Sequence, residues 1–390
     1  MNFVYRMGRS AAGFALGCAV MGAVLLTGIS SSAALAQGIT AQKIIIGQSA
    51  PTTGGNKDLG NEIRLGALVA FAVANKAGGV GGRQIELVTL DDVNDVQKAI
   101  ANTDKLIKEN QVFALYGYAS ATLGRKPLEM AAEAGVPFLF PFTGARVMRG
   151  YNKVLFNFRA GYAEEATKII EHFRTVGITS FGILYHEDAV GKENLEVVQK
   201  GLEAGGGKVV ATAGVSRKGG DAAPKAPAMV KADPQAIIVT GLYGPSSEFI
   251  KAAKAAGYGA PIIALSFVGG TQFVNALGKD KGGVVISQVV PFPWDNKLPV
   301  VREYRKALAE MDAKAEPSFT SFEAYLAGKA MVEALRKSGK EPTRAAFMAA
   351  LDATASLDLG GYTIGFKPND RNGSKYVDLT VVSADGKMRQ

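Results

Sequence analysis

The chain is 390 residues long, 47% hydrophobic and 20% charged, with a formal net charge of +9. That length exceeds one typical core and predicts two domains. The positive residues, among them Arg125, Lys192, Lys254 and Lys306, are scattered and form no dense block interleaved with aromatics. This argues against nucleic acid as a partner and reads as a solvated surface with mild steering of anionic ligands.

The first segment reads as an export signal. Arg6 and Arg9 form a positive start, Ala11 to Ile29 is almost wholly apolar, and Ala34-Leu35-Ala36 is a small-residue cleavage site. Residues 1–36 are therefore expected to be removed, leaving a chain that begins at Gln37, while a retained membrane anchor is the rival reading. Cys18 is the only cysteine, so the mature chain would lack disulfides and rely on its core. No later run of 18 or more apolar residues occurs, which predicts a soluble mature chain.

Strand and helix patterns then alternate, which predicts an α/β fold with parallel sheets. Lys43 to Gln48 reads as a strand, Leu59 to Lys76 as a helix ended by Gly78 and Gly79, and Gln84 to Leu90 as a second strand. A helix over Asp95 to Glu109, a strand at Phe113 to Tyr116, a helix at Thr122 to Ala134 and a strand at Val136 to Phe140 complete the first half. After Arg159 the pattern restarts. Helices are predicted over Glu164 to Val176, Gly191 to Ala204, Ala223 to Lys231 and Pro245 to Ala256. Strands are predicted over Ser180 to Tyr185, Lys208 to Ala213, Ala236 to Thr240 and Ile262 to Leu265. Pro299 to Met311 and Phe322 to Ser338 are again helical. Tyr362 to Phe366 and Tyr376 to Val382, around Asn372-Gly373, read as a β-hairpin or paired edge strands.

Several runs carry a family resemblance. They are Asn75-Lys76-Ala77-Gly78-Gly79-Val80-Gly81-Gly82-Arg83 with Asp91-Asp92, Ala134-Gly135-Val136-Pro137 with Pro141-Phe142-Thr143, Ala255-Ala256-Gly257, and Tyr376-Val377-Asp378-Leu379. In this order and spacing they resemble the type I periplasmic binding proteins, in particular the branched-chain amino acid (Leu/Ile/Val) binding family. The resemblance implies two Rossmann-like lobes with parallel sheets, joined by three hinge crossings. Lobe one would comprise 38–159 plus 290–359, and lobe two 160–289 plus 360–390.

Ligands of open parallel sheets bind at the carboxyl ends of the strands. Ser120, Ala121 and Thr122 follow one such strand and begin a helix. A Ser or Thr there is either a helix cap or a ligand contact, and the residues alone leave both open. Phe142, Thr143 and Gly144 follow another, with Thr143 offering a hydroxyl and Gly144 permitting close backbone approach. The resemblance places the ligand carboxylate at the first of these loops and further contacts at the second. On the other lobe, Asp188, Val190 and Tyr243 follow strands. Val190 stands where the family often has an aromatic residue.

Ser266 and Phe267 are the departure of most consequence, because the family's amino-acid binders carry an acid near there for the ligand ammonium. A buried ammonium needs a carboxylate. Either Asp188, Glu248 or Glu323 substitutes, or the ligand has no ammonium and is a plain carboxylate, aromatic acid or amide.

Catalysis, cofactors and metals are not expected. The two histidines are His172, on a helix, and His186, near the expected cleft. No nucleophile elbow, Walker run, H-E-x-x-H or Cys/His cluster occurs. Gly78 to Gly82 follows a helix and precedes a strand, the reverse of a dinucleotide loop. The expected function is the solute-binding component of an ABC importer. It would be a periplasmic monomer serving an inner-membrane permease. A periplasmic sensor acting on a signalling receptor, or an amide hydrolase, is the alternative.

Overall fold

The computed structural model describes residues 37–268 and 270–390; the signal reading over 1–36 lies outside them. The first sheet holds β1 (Lys43–Ala50), β2 (Gln84–Asp91), β3 (Ala114–Tyr116), β4 (Phe138–Leu139) and β5 (Leu155–Phe156), all parallel in the order β2-β1-β3-β4-β5. Helices α1 (Lys57–Lys76), α2 (Val96–Lys108) and α3 (Ala121–Ala134) connect them. The apolar alternation of β1 buries Ile44 and Ile46 completely, as a strand covered on both faces requires.

The second half repeats the scheme with α4 (Tyr162–Arg174), β6 (Ser180–His186), α5 (Ala189–Ala204), β7 (Lys208–Val215), α6 (Ala226–Lys231) and β8 (Ala236–Val239). It continues through α7 (Tyr243–Ala255), β9 (Ile262–Ala264), α8 (Thr271–Leu277) and β10 (Val284–Gln288). The chain then returns to the first sheet through α9 (Pro299–Met311), α10 (Phe319–Lys337) and α11 (Arg344–Asp352). A small hairpin pairs β11 (Leu357–Asp358) with β12 (Thr363–Ile364), and β13 (Asp378–Val382) and β14 (Met388–Arg389) end the second sheet. Its order is β14-β13-β10-β9-β8-β6-β7, with β13 antiparallel to β10 and to β14. The backbone thus passes between the sheets three times, after β5, after β10 and after β12.

The tail differs from the hairpin that its sequence suggests. Thr363–Ile364 pairs with Leu357–Asp358, while Asp378–Val382 pairs with β10 and β14. Tyr362 and Phe366 instead pack on Phe158 and Phe140, with ring centroids 6.1 Å apart in both cases. The apolar residues of 362–366 are held by the first core, so they are unavailable to the last strand.

The Gly-rich run after α1 proves to be a clamp. Asn75 exchanges two hydrogen bonds with the Ile85 backbone, and a Cβ at Gly79 would lie 2.0 Å from the Arg83 carbonyl oxygen. Arg83 donates to the carbonyls of Thr40 and Lys340, each at 2.8 Å, and pairs with Glu341 at 3.0 Å. Asp91 and Asp92 fasten the loops beside β1: Asp91 accepts from the amides of Thr52 and Val93, and Asp92 from Ser49 and Asn94. Small residues also set the α1–α10 contact, where a Cβ at Gly66 would sit 2.0 Å from the Ser321 carbonyl oxygen.

Candidate functional site

Carboxyl ends of strands from both sheets converge on one cleft. Ser120, Ala121 and Thr122 follow β3, and Thr143 follows β4. Val190, Gly191 and Asn194 follow β6 on α5, Arg217 follows β7, Thr240 follows β8, and Phe267 follows β9. Tyr162 and His186 complete the lining, and the enclosed space is about 20 Å³. That holds about one water molecule, so the two sides are closed upon each other.

Of the residues expected from sequence, Ser120, Ala121, Thr122, Thr143, Val190 and Phe267 line this cavity. Ser120 is the N-cap of α3, its hydroxyl accepting from the Leu123 amide at 3.2 Å. The capping role and a place in the cleft therefore coexist, because α3 begins at the cleft. Thr143 accepts from the Ala145 amide at 3.2 Å.

The other five lie around the cavity. Phe142 is buried against Leu59, Ile63 and Ala324, with the Arg159 guanidinium 4.7 Å from its ring centroid. Gly144 allows the close approach of Tyr162, whose ring lies 2.6 Å from where a Cβ would be, and its carbonyl accepts from the Tyr162 amide. Asp188 caps α5, accepting from the Gly191 amide at 2.7 Å, and its other oxygen pairs with Arg217 at 3.3 Å. The Tyr243 hydroxyl donates to Asp58 across the cleft at 3.3 Å.

Ser266 is engaged elsewhere. Its amide and hydroxyl each donate to Glu165 at 2.8 Å, within a buried network that includes Ser287 and Arg159. Arg159, completely buried, also lies 3.5 Å from Glu323. Burial raises the Glu323 carboxyl to about 7, outweighing the attraction of Arg159. Glu323 is thus bound to the crossing, Asp188 to Arg217, and Glu248 to the Gly220 amide at 2.9 Å.

His186 accepts from the Leu242 amide at Nε2, 2.8 Å away, and so donates from Nδ1 to the Val215 carbonyl at 3.3 Å. Burial, with the Arg217 charge, pulls its pKa down to about 4, so it is neutral at pH 7. His172 is exposed on α4. Among the described residues no group of His, Cys, Asp or Glu has the arrangement of a metal site, and no helix is long and apolar enough to cross a membrane.

Sequence reasoning missed Arg217, Asn194, Tyr162 and Thr240. Arg217 carried a usable signal, being the first cation after a strand of the parallel sheet. Its strand was expected to end at Ala213 and runs to Val215, which moves Arg217 to the sheet's cleft-facing edge.

Two α/β sheets, parallel except at β13 and β14, thus share a triple crossing and a cleft at the carboxyl ends of their strands. Residues 43–387 match the family described as periplasmic binding protein, and the chain belongs to that family. It is 25% identical over 351 residues to a leucine-, isoleucine-, valine-, threonine- and alanine-binding protein of Pseudomonas aeruginosa, covering 88% of this chain and 90% of that one. A substrate-binding periplasmic protein of Ralstonia solanacearum is 31% identical with a TM-score of 0.81, over 88% of this chain and 99% of that chain. A possible leucine/isoleucine/valine-binding protein of Rhodopirellula baltica gives 28% and 0.82, over 90% and 97%.

Proposed function

We propose that the protein captures a small amino acid or related carboxylate or amide in the periplasm. It then delivers this ligand, as a monomer, to an inner-membrane ABC permease. Lobe one takes 38–159 and 290–359 and lobe two 160–289 and 360–390, with 360–366 leaning on the first core. Residues 1–36 serve as the export signal. The ligand contacts are Ser120 to Thr122 and Thr143 on one lobe, with Val190 and Phe267 on the other.

The observation that carries this reading is a cleft closed by hydrogen bonds from one sheet's loops to the other's. Arg217 donates to the Thr122 hydroxyl at 3.3 Å, Tyr243 to Asp58 at 3.3 Å, and Gln272 to Glu62 at 2.7 Å. A ligand of several atoms exceeds the closed cavity, so binding requires the lobes to part and close again. Such a ligand docks on lobe one and then stabilises the closed form through lobe two. His186, the histidine lining the cleft, has both ring nitrogens engaged by the backbone.

A thermal-shift screen of amino acids, carboxylates and amides tests the reading. A ligand at a hundred times its dissociation constant adds about 2.7 kcal/mol of stability. A midpoint that stays fixed across the whole panel, or a ligand that is recovered chemically altered, overturns it.

A further inference from the structure

We infer that Arg217 makes this cleft a receptor for small organic acids that carry no ammonium group beside the carboxylate; the inference rests on the solute-binding reading above. Arg217 reaches from the loop after β7 to the N-terminus of α3, where its Nη1 lies 3.3 Å from the Thr122 hydroxyl. Its Nη2 is buried and has no acceptor. The first turn of α3 presents amide N–H groups to the same point, as every helix start does. A carboxylate placed there takes donors from one lobe and a guanidinium from the other.

A second observation shows that the cleft has room for a polar ligand group. Asn194, 8% exposed, lines the cleft from α5, and its buried Oδ1 has no hydrogen-bond partner. Its amide is therefore free to meet a polar group of the ligand, with the amide orientation set by that group.

An ammonium group has no counterpart in this cleft. Asp188 is held by the Gly191 amide and Arg217, Asp58 by Tyr243, and Glu62 by Ser318 and Gln272. Glu165 and Glu323 lie with Arg159 at the crossing. The ammonium of an α-amino acid would be buried beside a guanidinium and two helix N-termini with no unengaged carboxylate, which is unfavourable. A desamino, hydroxy or oxo acid avoids that arrangement.

Calorimetry with matched pairs tests this on the purified protein: leucine against its desamino acid, glutamate against glutarate, and phenylalanine against phenylpropionate. The acid lacking the ammonium is expected to bind at least about tenfold tighter in whichever pair fits the cleft. Arg217→Gln is expected to weaken that acid about tenfold, leave its neutral amide within about threefold, and abolish the salt dependence of acid binding. Arg217→Lys recovers part of the loss. Amino acids binding as tightly as their desamino partners would overturn the inference while leaving solute binding intact. Failure of every compound, including an extended panel of neutral solutes, would overturn both. Should Arg217→Gln not fold, the wild-type pairs decide the matter alone.

Discussion

Replacing Arg159 by Met removes a fully buried cation from a cluster at the crossing between the two sheets, leaving Arg149 as the guanidinium near its carboxylates. Arg159 and Glu165 are each 0% exposed at the side chain and Glu323 is 6% exposed, so the carboxylates left behind cannot hydrate. Breaking a buried pair from one side costs roughly 3–5 kcal/mol. With an unfolding entropy of about 2.1 cal/mol/K per residue, a folded chain of this length should melt roughly 5 °C lower. The loss also depends on pH in a known direction. The folded pKa of Glu323 is raised to about 7 by burial, and removing Arg159 raises it further. A carboxyl with a raised folded pKa contributes stability that is complete below its unfolded value and is lost as pH rises through the folded one. The deficit of the variant is therefore largest near about pH 8 and shrinks toward about pH 5, where a protonated Glu323 needs no cation. Urea unfolding of both proteins across that range measures it. A deficit below about 1 kcal/mol at the alkaline end, or one equal at both ends, would refute the reasoning.

Glu323→Gln should flatten the wild-type stability curve. The difference between the two proteins should fall by on the order of 3 kcal/mol as pH rises from about 4.5 to about 7, and superimposable curves would count against the buried carboxyl. His186 acts in the opposite sense. Its pKa is depressed to about 4, so its contribution is present above about pH 6.5 and lost as pH falls through 4, and His186→Gln should remove that acid-side decline in chemical unfolding. Thr122→Ala should weaken ligand binding by about 1 kcal/mol, whereas Lys306→Ala, on the exposed face of α9, should not. Equal affinities in calorimetry would refute the placement of the site. Gly66→Ala forces a Cβ against the Ser321 carbonyl and should cost about 1–3 kcal/mol by separating α1 from α10; an unchanged melting midpoint would show that the helices tolerate the gap.

The regular part of the fold was legible because periodicity and punctuation agree there. The run from β1 through β2 shows buried Ile44 and Ile46, an amphipathic helix and a glycine stop. Elements below the reach of periodicity were not legible. Strand β5 has two residues and α8 has seven, and the apolar run of β10 is too short to distinguish from a buried helix turn. In the cleft, the loops after β3 and β4 were readable because strand ends and helix caps mark them. Tyr162 was hidden because its role depends on the close approach that Gly144 permits, a tertiary fact. Arg217 was hidden by a strand end misplaced by two residues.

Ser266 shows why position in a motif does not determine role. The resemblance leads one to expect an acid there, aimed at a ligand ammonium. Here the Ser266 amide and hydroxyl both face Glu165, which also accepts from Ser287 and lies 4.0 Å from Arg159. An acid at 266 would bring another carboxylate within hydrogen-bond distance of a buried one, a like-charge repulsion that burial magnifies. Phe267, the next residue, lines the cleft, and so does Arg217 from the loop after β7. A neutral Ser266 thus leaves Glu165 to Arg159 and the neighbouring hydroxyls, and the loop after β9 brings the uncharged Phe267 to the cleft.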